Sequence, residues 1–233
     1  MSRVARSLDQ GCSMQPRSGH SSPIRIITIE REYGSGGAVI AQKVADRLGW
    51  KLWDQLLTCE IARRSNAERS EVENREERVD PLYYRLFKSI MRGSFEGSAD
   101  AHSLKLLDAD TILRITKQVT LDAAAGGNCV IVGRGSQHFL CDRQDTLHIF
   151  LFAPKADKVR RLKADGVGEA EAEELVETVD KERGAFIERY FHMNWPNRPL
   201  YHAMLNTAVG EDIVVESVLG LKRVLERGGG PQL

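Results

Sequence analysis

Apolar positions along this chain keep two rhythms in turn. Ile24-Arg-Ile-Ile-Thr-Ile29 is a short β-branched run, suited to a strand buried on both faces of a parallel sheet. The rhythm then lengthens. Val39, Ile40, Val44 and Leu48 recur at helical spacing, with Gln42, Lys43, Asp46 and Arg47 between them. This predicts an amphipathic helix over 38–48, closed by Gly49. Trp50 to Asp54 reads as a second strand, and Leu56, Leu57 and Ile61 place a helix over 55–64. A longer helix is expected over 104–125, a strand over Cys129–Val132, a helical turn over 136–141 and a strand over Thr146–Phe152. Pro154 fits the first turn of the next helix. Glycines at 166 and 168 and prolines at 196 and 199 bound a long helix over 169–192. A last strand over 201–207 and an amphipathic helix over 211–227 complete the pattern. Five short strands alternating with helices require crossover connections, hence a three-layer α/β fold with a parallel sheet covered on both faces.

Three stretches depart from this alternation. Residues 1–23 are rich in Ser, Gly, Arg and Gln without periodicity, and read as a disordered tail. Residues 60–103 begin with a segment dense in both charges, continue through an apolar helical face at 82–91, and end in a flexible link around Gly93 and Gly97. They read as an insert, a flap over a site. Residues 228–233 read as a frayed end, leaving 24–227 as one domain.

Composition narrows the function classes. The 233 residues are 42% hydrophobic and 28% charged, with 33 basic and 33 acidic side chains. A net charge of zero provides no global field for nucleic acid or an anionic membrane, so anion binding must come from local clusters. No apolar run approaches the roughly 20 residues that span a bilayer, and no apolar stretch follows Arg3 and Arg6 to make a secretory signal. A cytoplasmic protein is the expectation. Cys12, Cys59, Cys129 and Cys141 are widely spaced and read as reduced thiols. Histidines 102, 138, 148, 192 and 202 show no metal-ligand spacing.

The candidate chemistry lies at the ends of the strands, where ligands bind in parallel sheets. Gly34-Ser-Gly-Gly37 follows the first strand and opens a helix. Glycines there let several backbone N–H groups point at one anion, with the helix N-terminus adding partial positive charge. The usual phosphate loop is spelled Gly-x-x-x-x-Gly-Lys-[Ser/Thr]. In that frame Arg31 stands at the first glycine, Gly37 at the lysine and Ala38 at the hydroxyl. Asp54 ends the second strand, and Gly133-Arg134 ends the third. Asp54 suits an N-cap of the next helix as well as a nucleotide or Mg²⁺ role. Arg134 suits a helix cap as well as a ligand.

Several segments together resemble the cytidylate kinase-like family, a branch of the P-loop nucleoside monophosphate kinases. They are Arg-Glu-Tyr-Gly-Ser-Gly-Gly at 31–37, Asp54, Val-Ile-Val-Gly-Arg-Gly at 130–135, Asp-Lys-Glu-Arg at 180–183, Trp195, Tyr201 and Asn206-Thr207. The resemblance covers roughly 24–225. The lysine-less glycine run is its most specific part. It implies a P-loop kinase fold with a lid over about 165–195 and an acceptor-binding insert. It also implies phosphoryl transfer from ATP, with Mg²⁺, to a small nucleotide substrate, CMP or dCMP first. The residues so implied are Gly34, Ser35, Gly36, Gly37, Ala38 and Arg160 for the donor, and Arg31, Asp54 and Arg134 for the acceptor. Asp180, Lys181, Arg183 and Arg189 are implied for catalysis, and Ser35 or Asp54 for Mg²⁺. If the chain is a catalyst, arginines from elsewhere must supply the charge of the missing lysine. A nucleotide-binding protein without transfer, and a kinase for another small acceptor, remain open.

Overall fold

The computed structural model describes residues 23–57, 59–61, 63–64 and 109–227. The expected tail, most of the 60–103 insert and the C-terminal end lie outside the described residues. The strands are β1 (Ile26–Arg31), β2 (Lys51–Trp53), β3 (Cys129–Val132), β4 (Thr146–Phe152) and β5 (Ala203–Asn206). The helices are α1 (Gly37–Leu48), α2 (Ala109–Gly126), α3 (Ser136–Phe139), α4 (Lys155–Ala164), α5 (Glu169–Phe191) and α6 (Glu211–Glu226). Residues 55–57, 59–61 and 63–64 are also helical. The strands form one five-stranded sheet in the order β2-β3-β1-β4-β5, parallel at every pairing.

β1 is the central strand and is buried along its whole length. Its alternation divides the core. Ile27 and Ile29 pack with Ile40, Val44, Val130, Leu147, Val214 and Val218, under α1 and α6. Ile26 packs on the opposite face with Ile115, Val119, Ile131, Phe186 and Phe191, under α2 and α5. Each such fully buried aliphatic side chain contributes about 1.5–3 kcal/mol against the exposed state. A third, smaller cluster joins Val159 and Leu162 of α4 to Ala172, Val176 and Val179 of α5, and seals both onto Tyr33 of the glycine loop. The α4–α5 pair is thereby fastened to the loop.

One stripe differs from the expected one. On α1 the buried positions are Ile40, Ala41, Val44 and Ala45, while Val39 is half-exposed. The i,i+4 pairs 40/44 and 41/45 face the sheet, and small alanines let the helix approach it closely. On α6 the buried set is Val214, Val215, Val218 and Leu219, with Ile213 and Val224 turned outward. Cys141 is disulfide-bonded, which departs from the expectation of reduced thiols, whereas Cys59 and Cys129 are free. Among the described residues no helix is long and apolar enough to cross a membrane.

Candidate active site

β1 runs two residues further than its apolar stretch, through Glu30 and Arg31, and both are buried. Charged side chains at such depth need partners. Glu30 Oε1 accepts the backbone N–H of Arg31 at 3.0 Å and lies 3.5 Å from Arg31 Nη1. Its other oxygen accepts from Gln137 Nε2 at 3.2 Å. The glycine loop then turns, with Gly34 and Gly36 at φ of 73° and 78°. Ser35 is fully buried; its hydroxyl donates to Glu32 O at 2.8 Å, and its carbonyl accepts from Thr207 Oγ1 at 2.7 Å. The loop is therefore tied to the turn that follows β5.

At the end of β3 the backbone makes a second unusual turn. Gly133, Arg134 and Gly135 all have positive φ, of 63°, 59° and 70°. For the arginine that conformation costs about 1–2 kcal/mol, so its surroundings must hold it there. Arg134 Nη1 donates to Asp54 Oδ1 at 2.8 Å and to Val132 O at 2.9 Å. The Arg134–Asp54 pair is almost wholly shielded from solvent, with side chains 0% and 4% exposed. Burial pushes the Arg134 guanidinium below its ordinary pKa, against the pull of Asp54.

The third arginine descends from α5. Arg183 Nη1 donates to the carbonyl of Arg31 at 3.0 Å and to Asp180 Oδ1 at 3.2 Å. Burial lowers its pKa to about 10, and the neighbouring Arg31 adds to the effect. Asp180 faces inward too. It accepts the N–H of Tyr33 at 2.8 Å and Lys158 Nζ at 3.2 Å, and Lys158 also reaches Glu32 Oε2 at 2.9 Å. Glu30, Arg31, Arg183, Ile187 and Trp195 line a small cavity of about 10 Å³, room for about one water. Tyr201 stands beside it, its hydroxyl accepting from Gln137 at 3.4 Å. Burial and then the nearby Glu30 raise that phenol's pKa, so it stays protonated.

The structure brings together Arg31, Asp54, Arg134, Asp180 and Arg183 beside the glycine loop. It leaves others outside. Lys181 and Arg189 are on the exposed side of α5, and Arg160 is 71% exposed and paired with Asp157 on its own helix. The next residue, Arg161, is the one that turns toward the glycine loop. Arg161 Nη1 donates to Thr207 Oγ1 at 3.1 Å and approaches Gly34 O at 3.5 Å, while its Nη2 donates to Thr207 O at 2.9 Å. Glu30, Gln137, Lys158 and Arg161 also enter this cluster, and Glu32 and Thr207, which lie in segments that carry the family resemblance, hold the loop; none of the six was given a role from the sequence. A signal for two of them was present. Lys158 and Arg161 flank Val159 and Leu162 on the apolar side of α4, whereas Arg160 opposes it. As a Mg²⁺ site the residues present do not fit. Ser35 spends its hydroxyl on its own loop, Asp54 is held by Arg134, and no group of three metal-binding side chains occurs among the described residues.

Comparison with known proteins places the chain in a family. No curated protein matches the chain. Among solved structures, an uncharacterized protein from Eubacterium ventriosum is similar at 23% identity and a TM-score of 0.58, over 86% of this chain and 98% of that one. Shikimate kinase from Acinetobacter baumannii is similar at 15% identity and a TM-score of 0.47, over 88% and 96% of the respective chains. A model of the cytidylate kinase-like family matches residues 26–209, which include the glycine loop, Arg134, Arg183 and Thr207. By that match, with the five-stranded parallel sheet beneath it, the chain has a P-loop kinase fold and belongs to the cytidylate kinase-like family.

Proposed function

We propose that this protein transfers a phosphoryl group from ATP to a nucleoside monophosphate, with CMP or dCMP the first candidate, in the cytoplasm. The observation that carries the proposal is the gathering of Arg31, Arg134 and Arg183, all buried, around the ends of β1 and β3 next to a glycine loop. Phosphoryl transfer needs little covalent help; it needs two phosphates held in line and their charge neutralised. In this reading the loop at 34–37 holds the donor phosphates, and Arg161 and Thr207 brace that loop from the far side. Arg134, held by Asp54, meets the acceptor phosphate. Arg183 comes from α5 onto the transferred group, and Asp180 orients it. Tyr201, kept protonated, and Gln137 offer polar atoms to the acceptor. Magnesium entering with ATP would screen the phosphate charge and take phosphate oxygens as ligands; no step here is assigned to it.

A coupled assay with ATP and Mg²⁺ across the common nucleoside monophosphates tests this. Turnover with one acceptor is expected, with Arg183→Ala lowering kcat by about 10²–10³-fold. Absence of turnover with every acceptor, in a sample that binds ATP, removes the catalytic claim. That result would favour a second reading, a nucleotide-binding protein without transfer. It draws on Gly37 and Ala38 standing where a lysine and a hydroxyl are usual.

A further inference from the structure

The space normally given to the loop lysine is filled. A Cβ at Gly37 would lie 2.8 Å from Arg31 Cγ and 2.9 Å from Arg31 Cβ. Position 37 is the lysine's place in the usual spelling, and position 31 is the first glycine's. The two positions have traded: a long cationic side chain starts where none is usual, and none starts where one is usual. The arginine's head is accommodated in the same way. A Cβ at Gly133 would lie 2.0 Å from Arg31 Nη1, so a second glycine, at the end of the neighbouring strand, clears room for the guanidinium. The head lines the small cavity with Arg183 and Trp195, and the carbonyl of the same arginine receives Arg183.

From this we infer that Arg31 replaces the phosphate-loop lysine, its guanidinium contacting the β- and γ-phosphates of the donor, with Gly37 and Gly133 as the two clearances that let it reach them. The inference rests on the reading of 34–37 as the donor-phosphate site. It makes the absence of a lysine an exchange of position within one loop. It also accounts for a charged residue ending the central strand. A guanidinium presents planar, paired donors to phosphate oxygens and cannot be deprotonated under working conditions, so it serves this post as well as an ammonium does.

A lysine at 37 reaches phosphates that AMP does not have, so the test compares two nucleotides. Binding of ATP and of AMP, each with Mg²⁺, is measured by calorimetry for the wild-type protein, Arg31→Gln and the double variant Arg31→Gly/Gly37→Lys. Thermal unfolding checks that each is folded. Arg31→Gln should weaken ATP by about tenfold or more while changing AMP by less than about twofold, the loss of one charge-assisted contact. The double variant, which restores the usual spelling, should recover most of the ATP affinity. Equal weakening of both nucleotides, or of neither, would assign Arg31 to structure alone. So would a folded double variant that binds ATP no better than Arg31→Gln. If the double variant does not fold, the ATP-against-AMP contrast in Arg31→Gln decides. A wild-type protein that binds neither nucleotide would remove the donor-site reading itself, and this inference with it.

Discussion

At the scale of single residues, the site is a set of buried charges that hold each other in place. Arg134 illustrates the cost of disturbing one. Its backbone is in a left-handed conformation and its side chain is enclosed with Asp54. Removing one partner of a buried pair leaves an uncompensated charge, at about 3–5 kcal/mol. Asp54→Ala should therefore lower unfolding stability by that order in urea titrations. The double variant Asp54→Leu/Arg134→Met should be more stable than Asp54→Ala alone. A double variant no more stable than the single one would show that the pair's charge balance is not what Asp54 supplies. The same enclosure explains what sequence reading could not see. Arg134, Asp54 and Arg183 are recognisable as charged residues near strand ends or on a helix, but their mutual distances depend on which strands are neighbours. Arg160 and Arg161 differ by one position in the chain and about 100° around the helix, and the core under α4 chooses between them.

The elements were more legible than the contacts. Strand and helix positions follow from the two apolar rhythms, and β3 and β4 coincide with the expected ranges. β1 runs on to Arg31 because Glu30 and Arg31 continue the ladder beside Phe150 and Leu151 of β4 and pair with each other, a feature that hydrophobicity does not encode. α5 divides its allegiance. Ala172, Val176 and Val179 belong to the small cluster on the glycine loop, while Phe186, Ile187 and Phe191 belong to the main core. Asp180, Arg183 and Gly184 lie between the two halves. A Cβ at Gly184 would meet nothing within 4 Å, so packing does not demand a glycine there. Gly184→Ala should raise stability by about 0.5–1 kcal/mol through helix propensity. If the first half of α5 must swing to admit ligand, the same change should slow turnover. Unfolding midpoints and kcat measured together check this, and a destabilised Gly184→Ala protein would contradict it.

For the whole molecule, acid sensitivity should come from the interior. Burial holds His138 and His148 at pKa values of about 3. His138 is stacked on Phe191, and His148 is bonded to Thr28 through Nδ1 at 2.7 Å. In the unfolded chain both titrate near pH 6.5. Between about 6.5 and 3 the unfolded state binds more protons, so stability falls as the pH drops through that window. Each histidine contributes up to about 1.4 kcal/mol per pH unit, and nothing above about pH 7. Urea midpoints taken from pH 7 to pH 4 should show this slope, and His138→Leu should flatten it; an unchanged slope would acquit His138. The strand order carries a consequence for biosynthesis. β1 pairs with nothing near it in the chain: Ile26 lies beside Cys129 on one side and Thr146 on the other. The strand that bears the glycine loop thus leaves the ribosome more than 100 residues ahead of either neighbour. At synthesis rates of about 5–20 residues per second, it stays unpaired for roughly 5–20 s or longer. During that interval the newborn chain exposes the apolar residues of β1 without partners, and escaping aggregation then is a demand on this sequence separate from any made by the folded protein.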